Sequence, residues 1–197
     1  MSDELLQGQK IVCVKLFVYN AGNLYNVQED MMKLRKTTDK DFRGTDVTLC
    51  KVRAVLLDEN NYMALMYLPK YKYNDNNDLY MIPGGGVEAN ENLEKALERE
   101  MLEETGCRIN IIEELGYIEC PEDIWAATTH YYLAKVAGEK GQLKLTEYET
   151  ESKFILLWHS LEKALDFISN QVANDNSKYV KLRDTIVISE AIERLCK

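Results

Sequence analysis

The chain has only two histidines, His130 and His159, far apart and without a cysteine at ligand spacing. A zinc site built from paired Cys and His side chains is therefore not expected. Five cysteines, Cys13, Cys50, Cys107, Cys120 and Cys196, form no CxxC pair and are odd in number, which suits free thiols in a reducing compartment. No apolar run approaches the roughly 18 residues needed to cross a bilayer. The first residues, Met1 to Leu6, lack the charged and apolar regions of a secretory leader, so the expected location is the cytoplasm. Basic runs are also missing. The sequence sets 33 acidic against 24 basic residues, a formal net charge of -9, and a surface of that sign argues against a nucleic acid polymer or an anionic membrane as partner. There is no internal repeat, no low-complexity segment and no helix-turn-helix signature of a DNA-binding regulator.

What is present is enough apolar material for a core: 46% of 197 residues, which suits one domain with an elaboration better than two full domains. Period-two patterns predict strands over Lys10–Tyr19, Thr48–Leu57, Tyr62–Leu68, Leu79–Ile82, Arg108–Ile118, Thr128–Val136 and Phe154–Trp158. Val27–Lys36 fits a short helix or a further strand. The polar stretches Asp58–Asn61 and Lys70–Asp78, the segment around Pro121–Asp123 and the acidic Leu143–Thr150 read as turns or loops. Leu161–Val172 and Val180–Leu195 read as helices on either side of a polar stretch at 173–177.

The segment with chemical content starts at the turn Pro83-Gly84-Gly85-Gly86 and continues into a helix expected over Asn92–Glu104. The turn has no bulky side chain, so its backbone N–H groups can approach an anionic ligand. At about 100° per residue, Leu93, Ala96 and Leu97 share a face with Glu100 and Glu104, and Glu103 lies beside them. The stripe begins apolar and ends in three carboxylates. An ordinary amphipathic helix would continue with aliphatic residues and favour Lys or Arg against the negative end of its dipole. Clustered carboxylates on a partly buried face raise each other's pKa unless a cation neutralises them. Mg²⁺ suits the site best, because it binds through a few carboxylates, retained waters and substrate phosphates, and Mn²⁺ is a possible substitute. Glu94 and Glu98 fall on the opposite side and read as solvated surface. Gly106 fits the left-handed cap that ends the helix.

The same residues carry a resemblance. Gly85, five residues, Glu91, seven residues, Arg99-Glu100, an apolar residue, any residue, Glu103-Glu104, any residue and Gly106 together resemble the box of the Nudix hydrolases. The departures, Cys107 for a bulky aliphatic and Asn90 for a frequent Gly, touch packing and turn geometry rather than chemistry. The resemblance implies an α/β fold, the Nudix α/β/α sandwich with a mixed β-sheet, over residues 47–197. Residues 1–46 would form an N-terminal β-rich extension. It implies metal binding by Glu100, Glu103 and Glu104, with Arg99 orienting the carboxylates and Glu91 bracing the loop on the helix. The implied activity is hydrolysis of the diphosphate linkage of a nucleoside diphosphate joined to another moiety: a nucleotide sugar, an ADP-ribose-like compound or a nucleoside triphosphate. The alternative is a non-catalytic sensor on the same fold that binds such a ligand and regulates a partner. Relatives with an N-terminal β-rich addition often use it in a dimer, so a homodimer is a further expectation, beside a monomer with that strand on its own sheet.

Candidate substrate contacts are Gly84 and Gly85 in the loop, with Lys70 and Tyr80 before it. In the Lys70-Tyr71-Lys72-Tyr73 cluster, charge could meet phosphate and a ring could stack on a base, or the cluster could be solvated surface. For the general base, Glu149 is the first choice among Glu147, Glu149 and Glu151, because a carboxylate that also binds the metal loses basicity. Glu100 is the alternative from the helix, giving Glu100, Glu104, Arg99 and Glu149 as the catalytic set.

Overall fold

A computed structural model of the chain describes residue 34 and residues 50–119 and 127–197. The expected N-terminal extension, its strand over 10–19, the helix or strand over 27–36 and the loop around 121–123 lie outside the described residues, apart from Leu34. The dimer that the extension would support lies outside them too.

Six strands form one mixed sheet: β1 (Cys50–Leu57), β2 (Met63–Tyr71), β3 (Asn77–Met81), β4 (Arg108–Glu119), β5 (Thr128–Ala137) and β6 (Ile155–His159). The order is β3-β2-β1-β5-β4, with β6 also paired to β2. β1 and β5 run parallel over their whole length, while the β4–β5 and β2–β6 pairs are antiparallel. The β1–β2 turn is closed by Asp58, whose Oδ1 accepts from the N–H groups of Asn60 and Tyr62, both at 2.9 Å. Beyond the Leu57–Met63 pair the two strands part. The glycine segment fills the opening: Val52 N–H donates to Gly85 O at 3.0 Å, and Val87 N–H donates to Cys50 O at 3.0 Å. The loop that sequence alone shows as a turn is thus held against the central strand.

Alternation along β1 sorts its side chains into two layers. Val52, Ala54 and Leu56 pack under helix α1 (Leu93–Thr105), with Ala96, Leu97 and Met101. Val55 and Leu57 face helices α3 (Leu161–Asn170) and α4 (Lys178–Leu195), where Leu165, Ile168, Val187 and Ile188 complete the second layer. The result is the expected α/β/α arrangement. α1 is capped at its start by Asn92, whose Oδ1 accepts from Lys95 N–H at 2.8 Å, and at its end by left-handed Gly106.

Several boundaries move. β2 runs to Tyr71, a 3-10 turn covers Lys72–Asn74 and β3 starts at Asn77, so the expected Lys70–Asp78 loop is mostly ordered hairpin. The expected loop Leu143–Thr150 contains a short helix, α2 (Glu147–Glu151). Its reason is local: Thr146 Oγ1 accepts from Glu149 N–H, and Glu149 Oε2 accepts from Thr146 N–H at 2.7 Å, a reciprocal capping box. α3 ends at Asn170, two residues earlier than expected, and α4 starts at Lys178, two residues earlier.

Candidate active site

Arg99 organises the acidic end of α1. Its Nε donates to Glu91 Oε1 at 3.0 Å and its Nη2 to Glu91 Oε2 at 2.9 Å, a two-pronged clamp. Nη2 also donates to Gly86 O at 2.8 Å, and Nη1 to Glu100 Oε1 at 2.8 Å and Glu103 Oε2 at 3.2 Å. Glu91 in turn accepts from Glu88 N–H at 3.1 Å. One guanidinium therefore joins the glycine loop, the turn before the helix and two carboxylates of its last turns.

The loop fits its place because two positions lack a Cβ. At Gly84, with φ +131°, a side chain would run into Val52 O and the Arg53 backbone. At Gly85 a Cβ would stand 2.5 Å from both carboxylate oxygens of Glu100. Gly84 N–H donates to Glu104 Oε2 at 2.6 Å. Strand, loop and helix are thus in direct polar contact, as their adjacency in sequence suggested.

The electrostatics of the carboxylates follow from burial. Glu104 is 5% exposed, and burial pushes its pKa up to about 8 against the pull of Arg53 and the Gly84 N–H, with Glu149 and Glu100 adding repulsion. Burial also raises Glu100, an effect that its hydrogen bond from Arg99 opposes. Acidic groups held in this way favour a bound cation. Among the described residues, no three acidic, His or Cys side chains already converge as a closed metal cage. Yet Glu100, Glu103 and Glu104 each use only one oxygen in a hydrogen bond to Arg99 or Gly84. The remaining oxygens, the open loop and the space in front of them fit an ion that keeps waters and takes phosphate ligands, as Mg²⁺ does.

That space is a cavity of about 630 Å³ lined by Gly84, Gly85, Arg99, the three helix glutamates and Glu149. Of the three loop glutamates, Glu149 is the one that lines it; Glu147 and Glu151 do not. Gly84 and Gly85 line this cavity; Lys70 and Tyr80 do not. Lys70 is exposed beside Asp78, and the Tyr80 ring stacks between Tyr67 and Phe167, with centroids 4.8 Å away on each side. Strand alternation explains the difference: Leu79 and Met81 point to the cavity side of β3, and Tyr80 points away, toward α3.

A second cavity of about 580 Å³ adjoins the first, and five residues line both: Arg53, Tyr71, Met81, Tyr148 and Phe154. Tyr71 and Tyr148 meet there through their hydroxyls at 2.9 Å. From the Lys70–Tyr73 cluster only the two tyrosines line this chamber. Its polar lining also includes Arg53, Thr129 and Arg183, which the sequence patterns above do not single out. A signal existed for two of them: Arg53 interrupts an apolar strand, and Arg183-Asp184 falls on the buried stripe of α4.

The NUDIX domain model matches residues 50–182, and the chain belongs to the Nudix family. Similar solved structures include a MutT protein from Methanosarcina mazei Go1, 20% identical, covering 76% of this chain and 95% of that one with a TM-score of 0.49. A hydrolase of the Nudix family from Clostridium perfringens is 17% identical, covering 71% and 94% with a TM-score of 0.45. The E. coli ORF135 protein is 22% identical, covering 74% and 89% with a TM-score of 0.49. No curated protein matches the chain.

Proposed function

We propose that the chain is a Mg²⁺-dependent pyrophosphohydrolase that cleaves the diphosphate linkage of a nucleoside diphosphate joined to another group, with Mn²⁺ as a substitute ion. The observation that carries this is the Arg99 clamp: it binds Glu91, Glu100 and Glu103, and Glu100, Glu103 and Glu104 line one cavity beside a backbone loop that can take phosphate. A small phosphorylated metabolite fits this cavity, and a net charge of -9 argues against a nucleic acid polymer as partner. The free thiols of Cys50 and Cys107 and the acidic composition agree with work in the cytoplasm.

Glu100, Glu103 and Glu104 would hold the cation, which when bound polarises phosphoryl oxygens and lowers the pKa of water. Gly84 and Gly85 leave room for the diphosphate against the loop, and Arg99 keeps the carboxylates in place. Glu149 is the favoured general base. Its Oε2 is occupied by the Thr146 N–H, so its Oε1 would accept the proton of the attacking water. No covalent enzyme intermediate is required. The non-catalytic sensor reading gains no specific support, since such proteins tend to lose box carboxylates and this chain keeps them.

The test is a panel of nucleotide sugars, ADP-ribose, dinucleotides and nucleoside triphosphates assayed with and without Mg²⁺, in ¹⁸O-labelled water. Metal-dependent release of two phosphate-bearing products, one labelled on phosphorus, is expected. No turnover across the panel, or label only on a sugar carbon, would reject the proposal.

A further inference from the structure

Among the described residues, three cationic side chains line the acidic cavity: Arg53, Arg99 and Lys144. All five N–H groups of Arg99 are engaged, by Glu91, Gly86, Glu100 and Glu103. Arg53 is 6% exposed, donates to Ile82 O and lies in the combined field of Arg183, Asp184 and Glu104. Lys144 differs from both. It is exposed, and its ammonium makes no hydrogen bond or ion pair among the described residues.

The backbone that carries Lys144 is held in place. Residues 139–146 form neither helix nor strand, yet they are anchored at several points. Gly141 N–H donates to Gly106 O at 2.8 Å and Lys144 N–H to Glu103 O at 2.7 Å, both at the carboxyl end of α1. The fit is close: a Cβ on Gly106 would stand 2.4 Å from Gly141 O, and one on Gly141 would stand 3.0 Å from Gly106 O. Lys140 pairs with Asp58 Oδ2 at 2.7 Å, its ammonium 3.6 Å from the centre of the Trp158 ring. Lys144 is thus tied by its own N–H to Glu103, whose side chain lines the same cavity, and it precedes the Thr146 cap that sets Glu149. α1 has no basic residue in its last turn. A lysine kept only to oppose the dipole of that helix would need its charge but no place on the cavity wall.

We propose that Lys144 is a phosphate-binding residue of this site, its ammonium donating to a non-bridging oxygen of the diphosphate while the helix carboxylates hold the cation. Four carboxylates, Glu100, Glu103, Glu104 and Glu149, line a cavity that has to admit a ligand of the same sign. A divalent ion offsets part of that repulsion, and Arg99 has no donor left over to offset more. A compact ammonium on a flexible stem can follow a phosphate where a clamped guanidinium cannot. The role rests on the hydrolase reading for what the cavity takes, and it adds a residue from outside the glycine loop and its helix.

The experiment is titration calorimetry of the full chain with Mg²⁺ and methylenediphosphonate, a diphosphate analogue that water does not cleave. The wild-type chain should bind it, Lys144→Met should weaken binding about tenfold or more, and Lys144→Arg should stay within about threefold of wild type. Lys95→Met removes the same charge from the exposed surface of α1 outside the cavity and should stay within about twofold. No binding by the wild-type chain would overturn the proposal, as would a loss below about threefold in Lys144→Met, or an equal loss in Lys144→Met and either Lys144→Arg or Lys95→Met. Lowered stability of Lys144→Met with unaltered binding would assign the lysine to the helix end instead. With a substrate that turns over, Lys144→Met should raise KM by about tenfold and change kcat less. Analogue binding that follows the expected pattern, with no hydrolysis of any diphosphate, would leave Lys144 as the anion contact and remove the hydrolase.

Discussion

On one side of Arg53 lie Glu100, Glu103, Glu104 and Glu149 beside a loop of bare backbone; on the other lie Arg183, Thr129 and a set of tyrosines. The two chambers share a wall, and carboxylates line the first but, among the described residues, not the second. The acidic one is assembled from neighbours in sequence, its loop and helix spanning Gly84 to Glu104, and is tied by a single arginine. The other draws on β1, β5, α4 and the β2–β3 hairpin, with no local pattern joining them. The first has the makings of a reaction centre and the second of a recognition site. On that division, substitutions in the first should reduce the rate, and those in the second should mainly alter KM and substrate preference.

The largest break should come from Glu103→Gln and Glu104→Gln. Each should lower kcat by on the order of 10³-fold or more while circular dichroism stays unchanged. Unaltered turnover and Mg²⁺ affinity would show that the acidic chamber is not the cation site. Next comes Arg99→Ala, which frees Glu91, Glu100 and Glu103 together and should cost about 10²-fold in kcat, with a smaller change in KM. A rate within twofold of wild type would mean that the carboxylates hold their positions without it.

Glu149→Gln sharpens the division further. It keeps an oxygen for the cap but cannot take a proton, so kcat should fall about 10- to 100-fold with loss of the acidic limb of the pH-rate profile. If that limb persists in Glu149→Gln and vanishes in Glu100→Gln, the helix supplies the base.

The fourth test needs no substrate. Folded Glu104 has a pKa near 8 against an ordinary 4.5, so between these values the folded chain holds a proton that the unfolded chain releases. In EDTA, the contribution of this group to stability should therefore be full below about pH 4.5 and be lost as pH rises toward 8, on the order of a few kcal/mol. Glu104→Gln should flatten that slope, as followed by urea denaturation across the range. A slope unchanged in the variant would assign the pH dependence elsewhere.

The smallest effect tests the other wall. Buried Asn74 donates to Asp78 O at 3.1 Å and Val172 O at 2.9 Å, and its Oδ1 accepts from Ser177 Oγ at 2.6 Å, fastening the hairpin to the start of α4. Asn74→Ala should cost about 2 to 3 kcal/mol of stability and raise KM several-fold, with kcat nearly unchanged. A fall in kcat as large as that of Arg99→Ala would dissolve the distinction between the chambers.

The contrast also explains what could be read from the sequence. The box declares itself because loop, clamp and carboxylates must be covalent neighbours to meet at one helix end. The aromatic chamber depends on register and on long-range packing: Tyr80 looked as available as Met81, and only the pairing of β3 and its contact with α3 turn one ring away. Arg53 and Asp184 could have been marked as opposite charges in two apolar stripes, although nothing local says that they share a core. The α2 helix had its signature in Thr146 and Glu149, three apart, but five residues beside an acidic run look like loop when no apolar face demands a helix.

The Arg99 clamp also bears on how the protein breathes. Its donors reach Gly86 on the loop, Glu91 in the turn and Glu100 and Glu103 on the helix, so none of these pieces can swing out while the guanidinium keeps its place. Local opening of the segment from Gly84 to Glu91 should then be concerted, with its protected amides exchanging as one group and Val52 N–H, which is bonded to Gly85 O, following when the loop lifts. Such a segment would spend its time either closed or fully open, with few conditions in between.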